Sequence, residues 1–204
     1  MIRATLWDFG GVILSSPFDA FSRYEQHHGL PVGFIRGLNA ANPDINAWAH
    51  LERGDISFDD FCDRFESEAR DAGGRVDARQ VMALLSGEVR PEMVEALRRC
   101  HERLKTGLLT NNFVGEAPRL DISAIFAMFD VVIESSQAGV RKPDPRFYQM
   151  TCDALRIDPS EAVFLDDLGI NLKPAREMGM TTIKVRDPGQ ALTELEDVVG
   201  FGLR

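Results

Sequence analysis

The sequence predicts an α/β protein with a doubly wound parallel sheet of the Rossmann-like type and a small helical cap inserted after the first strand. Short apolar runs without polar alternation are followed by helical patterns, which is typical of parallel strands that are covered by helices on both faces. One long stretch, residues 15–87, breaks this alternation because it contains helical patterns alone. That stretch is therefore predicted to be an insertion outside the sheet.

Five runs have the length and apolar character of buried strands. They are Ile2–Trp7, Gly107–Thr110, Val131–Ile133, Ala162–Leu165 and Thr181–Val185. The first four end in polar or acidic residues. Ligands of an open parallel sheet bind outside the carboxyl ends of its strands, so these residues are the first candidates for a functional site.

Proline and glycine mark the ends of helices between the predicted strands. Pro91 and Pro145 suit a first helical turn, and each is followed by apolar residues at helical spacing. The segment Asn171–Met178 ends before Gly179, a suitable residue to follow a helix. Pro174 lies within that segment, so we expect it to fall in the first turn, where a missing N–H is tolerated.

Residues 15–87 are predicted to form the helical cap, and residues 1–14 and 88–204 the α/β core. Two amphipathic helices of the cap are predicted at Phe18–Tyr24 and Phe58–Glu68, the second with aromatic side chains on one face and Ser57 as its N-cap. The aromatic residues of the cap are Phe18, Phe21, Tyr24, Trp48, Phe58, Phe61 and Phe65. They either pack the helices together, which is the commoner case, or line an apolar substrate pocket.

The composition limits the classes of partner. The chain has 204 residues with 23 basic and 32 acidic side chains, a net charge of −9, so nucleic acid is not expected to bind. No apolar run approaches the roughly 18 residues of a transmembrane helix, so no membrane is expected. Cys62, Cys100 and Cys152 form no CxxC pair, which favours a reducing compartment, the cytoplasm. The oligomeric state is left open.

Three acidic residues follow predicted strands, Asp8 after the first and Asp166-Asp167 at the fourth. If those strands are neighbours, the carboxylates form a cluster of like charge, which is costly unless a cation or bound protons compensate it. Oxygen ligands favour Mg²⁺, which leaves room for water and a phosphate group. Taken alone, an Asp pair after a strand is also a common helix cap.

A phosphate group at this edge needs hydrogen-bond donors and positive charge. Thr110 and Asn111 end the second strand and can donate hydrogen bonds to phosphate oxygens. Lys142 can supply a compact positive charge opposite the phosphate. These residue types would therefore suit a phosphate group, if the strand ends bring them together.

The order of these segments resembles the four motifs of the haloacid dehalogenase-like hydrolase superfamily. The matching segments are Asp8–Val12, Leu108–Asn112, Lys142-Pro143 and Phe164–Asp167. The helical insertion between the first two resembles the first type of cap in that family.

Further segments are similar to particular branches of the superfamily. Ile133–Gly139 and Phe164–Asp187 resemble the phosphatase-like N-terminal domain of soluble epoxide hydrolases. Glu52–Ser57 resembles the cap of bacterial sugar-phosphate phosphatases. The first likeness suggests a lipid-like phosphate and the second a sugar phosphate, so the substrate itself stays open.

The resemblance implies a role for each matching residue. Asp8 is the expected nucleophile, which forms an aspartyl-phosphate that water hydrolyses, and Lys142 is the second catalytic residue. The implied ligands of Mg²⁺ are the carboxylate of Asp8, the carbonyl of Gly10, Asp167 and, directly or through water, Asp166. The implied phosphoryl-binding residues are Thr110, Asn111 and Lys142.

Gly10 departs from the family pattern, which usually has a second Asp at this position as general acid and base. A backbone carbonyl survives the change, but the proton-transfer group does not. The favoured function is a Mg²⁺-dependent phosphatase acting on a small phosphate monoester. The alternative is a weakly active or inactive binding or regulatory protein. A dehalogenase is less favoured, because dehalogenation needs no metal and the chain retains Asp166 and Asp167.

Overall fold

The computed structural model describes residues 1–114 and 122–204, and within these ranges five strands form one parallel sheet. The elements in chain order are β1 (Ala4–Trp7), α1 (Phe18–His27), α2 (Phe34–Ala40), α3 (Ala47–Glu52), α4 (Phe58–Asp71), α5 (Ala78–Ala83), α6 (Pro91–His101), β2 (Lys105–Thr110), α7 (Ser123–Phe126), β3 (Val131–Glu134), α8 (Ser135–Ala138), α9 (Pro145–Leu155), β4 (Ala162–Asp166), α10 (Gly169–Glu177), β5 (Thr181–Lys184) and α11 (Pro188–Val199).

The strand β1 lies at the centre of the sheet, whose order is β3-β2-β1-β4-β5 with parallel pairing throughout. All of its residues are buried, as expected for a strand covered on both faces. The five predicted strands are confirmed. Their ends differ slightly, since β2 already begins at Lys105 and β4 continues to Asp166.

Helices cover both faces of the sheet, which confirms the doubly wound α/β fold. Along β1, Leu6 packs in the cluster that contains Phe147 of α9, whereas the next residue, Trp7, packs with Met93 of α6 and Leu192 of α11. Successive side chains of a strand point to opposite faces. The alternation therefore gives the sheet one hydrophobic core on each side.

The predicted helix starts at Pro91 and Pro145 are confirmed for α6 and α9. The position of Pro174 is a correction: α10 begins at Gly169, so Pro174 lies in the helix interior rather than in its first turn. The early start has a local cause, because the carboxylate of Asp166 accepts a hydrogen bond from the N–H of Leu168, 2.8 Å away, just before the helix. Pro174 is a buried residue of this helix.

The helices α1 to α5 have a hydrophobic cluster of their own. Within it, the ring of Trp48 meets Phe61 and Phe65 edge to face, at centroid distances of 5.7 and 5.6 Å. Ser57 caps α4 as predicted, accepting a hydrogen bond from the N–H of Asp60 at 3.1 Å. The aromatic residues here pack the helices together, the commoner of the two expected roles.

The chain enters and leaves this group of helices at adjacent points. Leu14 and Val89 form an antiparallel bridge, and the N–H of Arg90 donates to the carbonyl of Ile13 at 2.9 Å. The two connecting segments therefore run side by side. We call α1 to α5 with their loops the insert.

Among the helices of the described ranges, none combines the length and apolarity needed to cross a bilayer. The longest, α4, has 14 residues and carries acidic side chains in its first turn. This agrees with the lack of long apolar runs in the sequence.

Candidate active site

Three neighbouring strands end at one edge of the sheet, and each contributes a polar residue there. Asp8 follows β1, while Thr110 and Asp166 are the last residues of β2 and β4. Since β1 lies between β2 and β4, its end is flanked by both. One carboxylate oxygen from each of Asp8, Asp166 and Asp167 lies within 4.8 Å of the others. The predicted acidic cluster is therefore present.

Lys142 lies among these carboxylates. Its Nζ is 2.9 Å from Oδ1 of Asp8 and 2.8 Å from Oδ2 of Asp166, and its side chain is only 1% exposed. Burial alone would lower the pKa of Lys142, but Asp166 and Asp8 together raise it above its usual value. The ammonium group therefore keeps its charge and offsets part of the negative charge of the cluster.

The pKa values of the other two acids, Asp8 and Asp167, are both raised. Burial raises the pKa of Asp8 well above its usual value; Lys142 opposes this shift, and Asp166 adds to it. Burial, with Asp166 next in importance, raises the pKa of Asp167 to about 6. Without a further cation, the cluster thus resists full ionisation.

Asp166 is oriented by hydrogen bonds as well as by Lys142. The Nδ2 of Asn171 lies 3.1 and 3.0 Å from its two carboxylate oxygens, and Leu168 donates its N–H to Oδ1. We did not single out Asn171 as a site residue from the sequence. The available signal was a polar side chain in the first turn of the helix that follows the Asp pair.

The turn after β1 brings two glycines to the cluster. Gly10 has an ordinary backbone conformation with φ −68°, and a Cβ added there would meet nothing within 4 Å. Gly11 has φ +74°, and an added Cβ would overlap the carboxylate of Asp167. Glycine is therefore needed at position 11 both for its conformation and for the close approach of Asp167.

Asn111 uses its side chain to hold neighbouring segments. Its Nδ2 donates to Oε2 of Glu52 and to the carbonyl of Lys142, both at 3.1 Å, and its Oδ1 accepts from the N–H of Lys142 at 2.9 Å. Both amide hydrogens of the Asn111 side chain are thus engaged within the protein. The hydroxyl of Thr110, by contrast, has no hydrogen-bond partner in residues 1–114 and 122–204.

Asn112 connects the ends of β2 and β3. Its side chain donates to Glu134 at 2.5 Å and accepts from the N–H and hydroxyl of Ser136, at 3.2 and 2.9 Å. Its own N–H donates to the hydroxyl of Ser135 at 3.0 Å. These bonds fix the segment that follows Thr110 at the end of β2.

Glu52 extends from the insert to the same edge. Besides Asn111, its carboxylate contacts Nη1 of Arg141 at 3.2 Å and Nε1 of Trp48 at 3.0 Å. Burial raises the pKa of Glu52, and Arg141 opposes the shift. Two residues further on, Gly54 has φ +73°, and a Cβ there would lie 2.7 Å from the carbonyl oxygen of Ser136. The insert therefore contacts the segments that follow β2 and β3, beside the acidic cluster.

The donor set fits Mg²⁺ in its chemistry. Asp8, Asp166 and Asp167 offer only oxygen, which a hard divalent cation prefers. Their excess negative charge is what such an ion would neutralise. No histidine or cysteine of the described ranges joins this group of possible ligands.

Asp8, Lys142 and the two further acids thus lie together at the carboxyl end of a doubly wound α/β sheet. A family model described as haloacid dehalogenase-like hydrolase matches residues 2–179. The chain belongs to this family, as its motif order predicted.

Several curated relatives are much longer than this chain. Acyl-CoA dehydrogenase family member 10 of Mus musculus is 36% identical over 207 residues, which cover 98% of this chain and 19% of the relative. Bifunctional epoxide hydrolase 2 of Sus scrofa is 33% identical over 219 residues, 99% of this chain and 40% of the relative. The chain thus spans less than half of either protein, and the predicted resemblance to the epoxide hydrolase phosphatase region is confirmed. Phosphatase MT3486 of Mycobacterium tuberculosis is 38% identical over 128 residues, 61% of this chain and 56% of the relative.

Solved structures share the fold. A HAD-like family hydrolase of Porphyromonas gingivalis has a TM-score of 0.67 at 23% identity and covers 98% of both chains. A HAD family enzyme of Bacteroides thetaiotaomicron, crystallised with magnesium and inorganic phosphate, has a TM-score of 0.63 at 20% identity over 96% of this chain and 99% of its own.

Proposed function

We propose that this hydrolase is a Mg²⁺-dependent phosphatase that cleaves a small phosphate monoester through an aspartyl-phosphate on Asp8. The observation that carries the proposal is the buried contact of Lys142 with Asp8 and Asp166, next to Asp167, at the carboxyl edge of the sheet. Relatives with phosphatase names and a neighbour crystallised with magnesium and phosphate support it.

The reaction proceeds in two substitutions at phosphorus. A carboxylate oxygen of Asp8 forms a bond to phosphorus as the ester P–O bond breaks, and the departing oxygen takes both electrons of that bond. With glycine at position 10, the departing oxygen takes its proton from solvent or from the substrate. Water then attacks the same phosphorus, which releases inorganic phosphate, restores the carboxylate and gives a proton to solvent.

The remaining residues position charge around these steps. Lys142 holds Oδ1 of Asp8 and faces the phosphoryl group, whose other donors are the hydroxyl of Thr110 and the backbone N–H of Asn111. Asp8, Asp166, Asp167 and the carbonyl of Gly10 would hold Mg²⁺. When bound, the ion supplies positive charge that neutralises the acidic cluster and the phosphate oxygens.

We assign residues 1–14 and 88–204 to a catalytic core and residues 15–87 to a cap. The separate hydrophobic cluster of the insert and its two adjacent connecting segments support this division. The three cysteines are free and buried, which suits the reducing cytoplasm. A small phosphorylated molecule is the proposed substrate.

A second candidate function is supported by Gly10. General acid–base catalysis contributes about 10²–10⁴-fold to such reactions, so a chain without a carboxyl group here could bind phosphorylated ligands with little turnover. A dehalogenase is disfavoured because Asp166 and Asp167 retain a metal-binding character that dehalogenation does not use.

The test is phosphate release from a broad panel of monoesters, including sugar, lipid-like and aryl phosphates, with Mg²⁺ and with EDTA. We expect release that depends on Mg²⁺ and on Asp8, with Asp8→Asn as the control. A wild-type protein that binds Mg²⁺ yet releases no phosphate from any ester would favour the binding function instead.

A further inference from the structure

Glu52 belongs to the insert but contacts two residues outside it, Asn111 and Arg141. It is the last residue of α3, and its side chain is only 13% exposed. Oε2 accepts from Nδ2 of Asn111 at 3.1 Å and contacts Nη1 of Arg141 at 3.2 Å. Oε1 accepts from Nε1 of Trp48 at 3.0 Å, so both oxygens are engaged.

Asn111 and Arg141 also share a hydrogen-bond acceptor, the carbonyl oxygen of Lys142. Nδ2 of Asn111 and Nε of Arg141 each donate to the carbonyl oxygen of Lys142, both at 3.1 Å. Oδ1 of Asn111 also accepts from the N–H of Lys142 at 2.9 Å. Glu52 thus connects the two donors that hold the backbone of Lys142, whose ammonium group contacts Asp8.

The contacts of Glu52 depend on the position of the insert relative to α8. The chain after α3 approaches α8 so closely that a side chain at Gly54 would meet the carbonyl of Ser136. Glu52 lies two residues before this contact. If the insert moves away, the carboxylate leaves Asn111 and Arg141, and the Lys142 backbone loses part of its support.

We propose that Glu52 is a positioning residue, which orients Lys142 through Asn111 and Arg141 when the insert is docked. Its carboxylate accepts hydrogen bonds from Asn111 and Trp48, pairs with the guanidinium of Arg141, and does not transfer a proton to the substrate. The proposal rests on the proposed function, because Lys142 is taken to act on the phosphoryl group.

The variants Glu52→Gln and Glu52→Ala test this role, with Glu25→Gln as the matched control. Glu25 is also a buried carboxylate of the insert, but it accepts hydrogen bonds from the N–H groups of Gly33 and Ile35, which lie within the insert. Glutamine keeps an acceptor oxygen and the size of the side chain, so Glu52→Gln covers the case in which the alanine variant does not fold.

Kinetics separate positioning from substrate binding. We expect Glu52→Ala to lower kcat roughly tenfold with little change in KM. This fold-change corresponds to the loss of about one hydrogen bond to a charged group. Glu52→Gln should lie between wild type and alanine, and Glu25→Gln should keep the wild-type kcat. Wild-type kcat in both Glu52 variants, or an effect confined to KM, would overturn the proposal.

Amide hydrogen exchange of Lys142 provides a readout that needs no activity. Its N–H donates to Asn111, so we expect faster exchange in both Glu52 variants and unchanged exchange in Glu25→Gln. If the wild type hydrolyses no ester but exchange responds in this way, the proposed function fails while the role of Glu52 stands. If the wild type is active and the Lys142 exchange rate is the same in every variant, the role of Glu52 fails alone.

Discussion

The ammonium group of Lys142 lies 2.9 Å from Oδ1 of Asp8, in a site where both side chains are largely buried. Asp8 follows the central strand, and Lys142 lies in the loop before α9. Their contact compensates a carboxylate that burial would otherwise disfavour. Asp167 has no such ion pair within 1–114 and 122–204, so the cluster still has an unbalanced acid.

The variant Asp8→Asn should lose its turnover and keep its fold. The amide retains the shape of the side chain but lacks the attacking oxygen, and loss of a nucleophile typically lowers kcat by roughly 10³-fold or more. Lys142 keeps its ion pair with Asp166 in this variant, so the protein should remain folded. Phosphate release and thermal unfolding measure the two effects. Near-wild-type turnover would show that Asp8 is not the nucleophile.

Mg²⁺ should raise the melting temperature of the wild type. An ion present at about 100 times its Kd stabilises the folded state by about 2.7 kcal/mol, which corresponds to roughly 5–10 °C for a chain of this size. Asp167→Ala should remove most of this increase because it deletes one carboxylate of the cluster. Thermal scans across millimolar Mg²⁺, with EDTA as reference, measure the shift. An unchanged wild-type curve would contradict a metal site here.

Without metal, Asp167 should make stability depend on pH. Its pKa is about 6 in the folded protein and about 3.9 when unfolded, so the folded state binds more protons between these values. The contribution of Asp167 to stability is therefore complete below about pH 4 and is lost as the pH rises through about 6.

The variant Asp167→Asn isolates this effect from the other acids. In EDTA, its melting temperature should equal that of the wild type near pH 4 and exceed it by a few degrees above pH 7. Thermal scans from pH 4 to 8 on both proteins measure the difference. A difference that stays constant over this range would exclude a raised pKa at Asp167.

Gly11→Ala should destabilise the protein, and Gly10→Ala should not. A Cβ at position 11 meets the Asp167 carboxylate in a left-handed backbone, whereas position 10 has open space and φ −68°. Strain of this kind costs on the order of 1–3 kcal/mol. Urea unfolding of the two variants measures it, and Mg²⁺ affinity should fall for Gly11→Ala alone. Equal stability of the two variants would contradict the close approach of Asp167.

The wild type should hydrolyse aryl or acyl phosphates much faster than alkyl phosphates. With glycine at position 10, no carboxylic acid at that position can protonate a poor leaving group. General acid catalysis of this kind typically raises the rate about 10²–10⁴-fold. Gly10→Asp should flatten this dependence; the backbone at position 10 has an ordinary φ, and a Cβ added there meets nothing within 4 Å. A series of esters that spans the leaving-group pKa, run at saturating Mg²⁺, measures both slopes. A shallow wild-type slope that Gly10→Asp leaves unchanged would mean that another residue supplies the proton.

Much of the fold was predictable from local pattern. Apolar runs such as Ala162–Leu165 indicate a strand buried on both faces whatever its neighbours are, and Pro91 and Pro145 mark helix starts by their own geometry. The predicted position of Pro174 in the first turn was wrong because α10 begins earlier, next to a hydrogen bond from Leu168 to Asp166. The helix propensities of the local sequence do not indicate such a contact.

The sequence by itself determined the parallel α/β class, the insertion after β1 and the acidic residues at the strand ends, because strand burial and helix ends follow from neighbouring residues. Only the tertiary structure decided that Lys142 pairs with Asp8 and Asp166, and that Glu52 of the insert meets Asn111. These partners lie far apart along the chain. Their distances, and the burial that shifts their pKa values, arise only when sheet, loops and insert pack together.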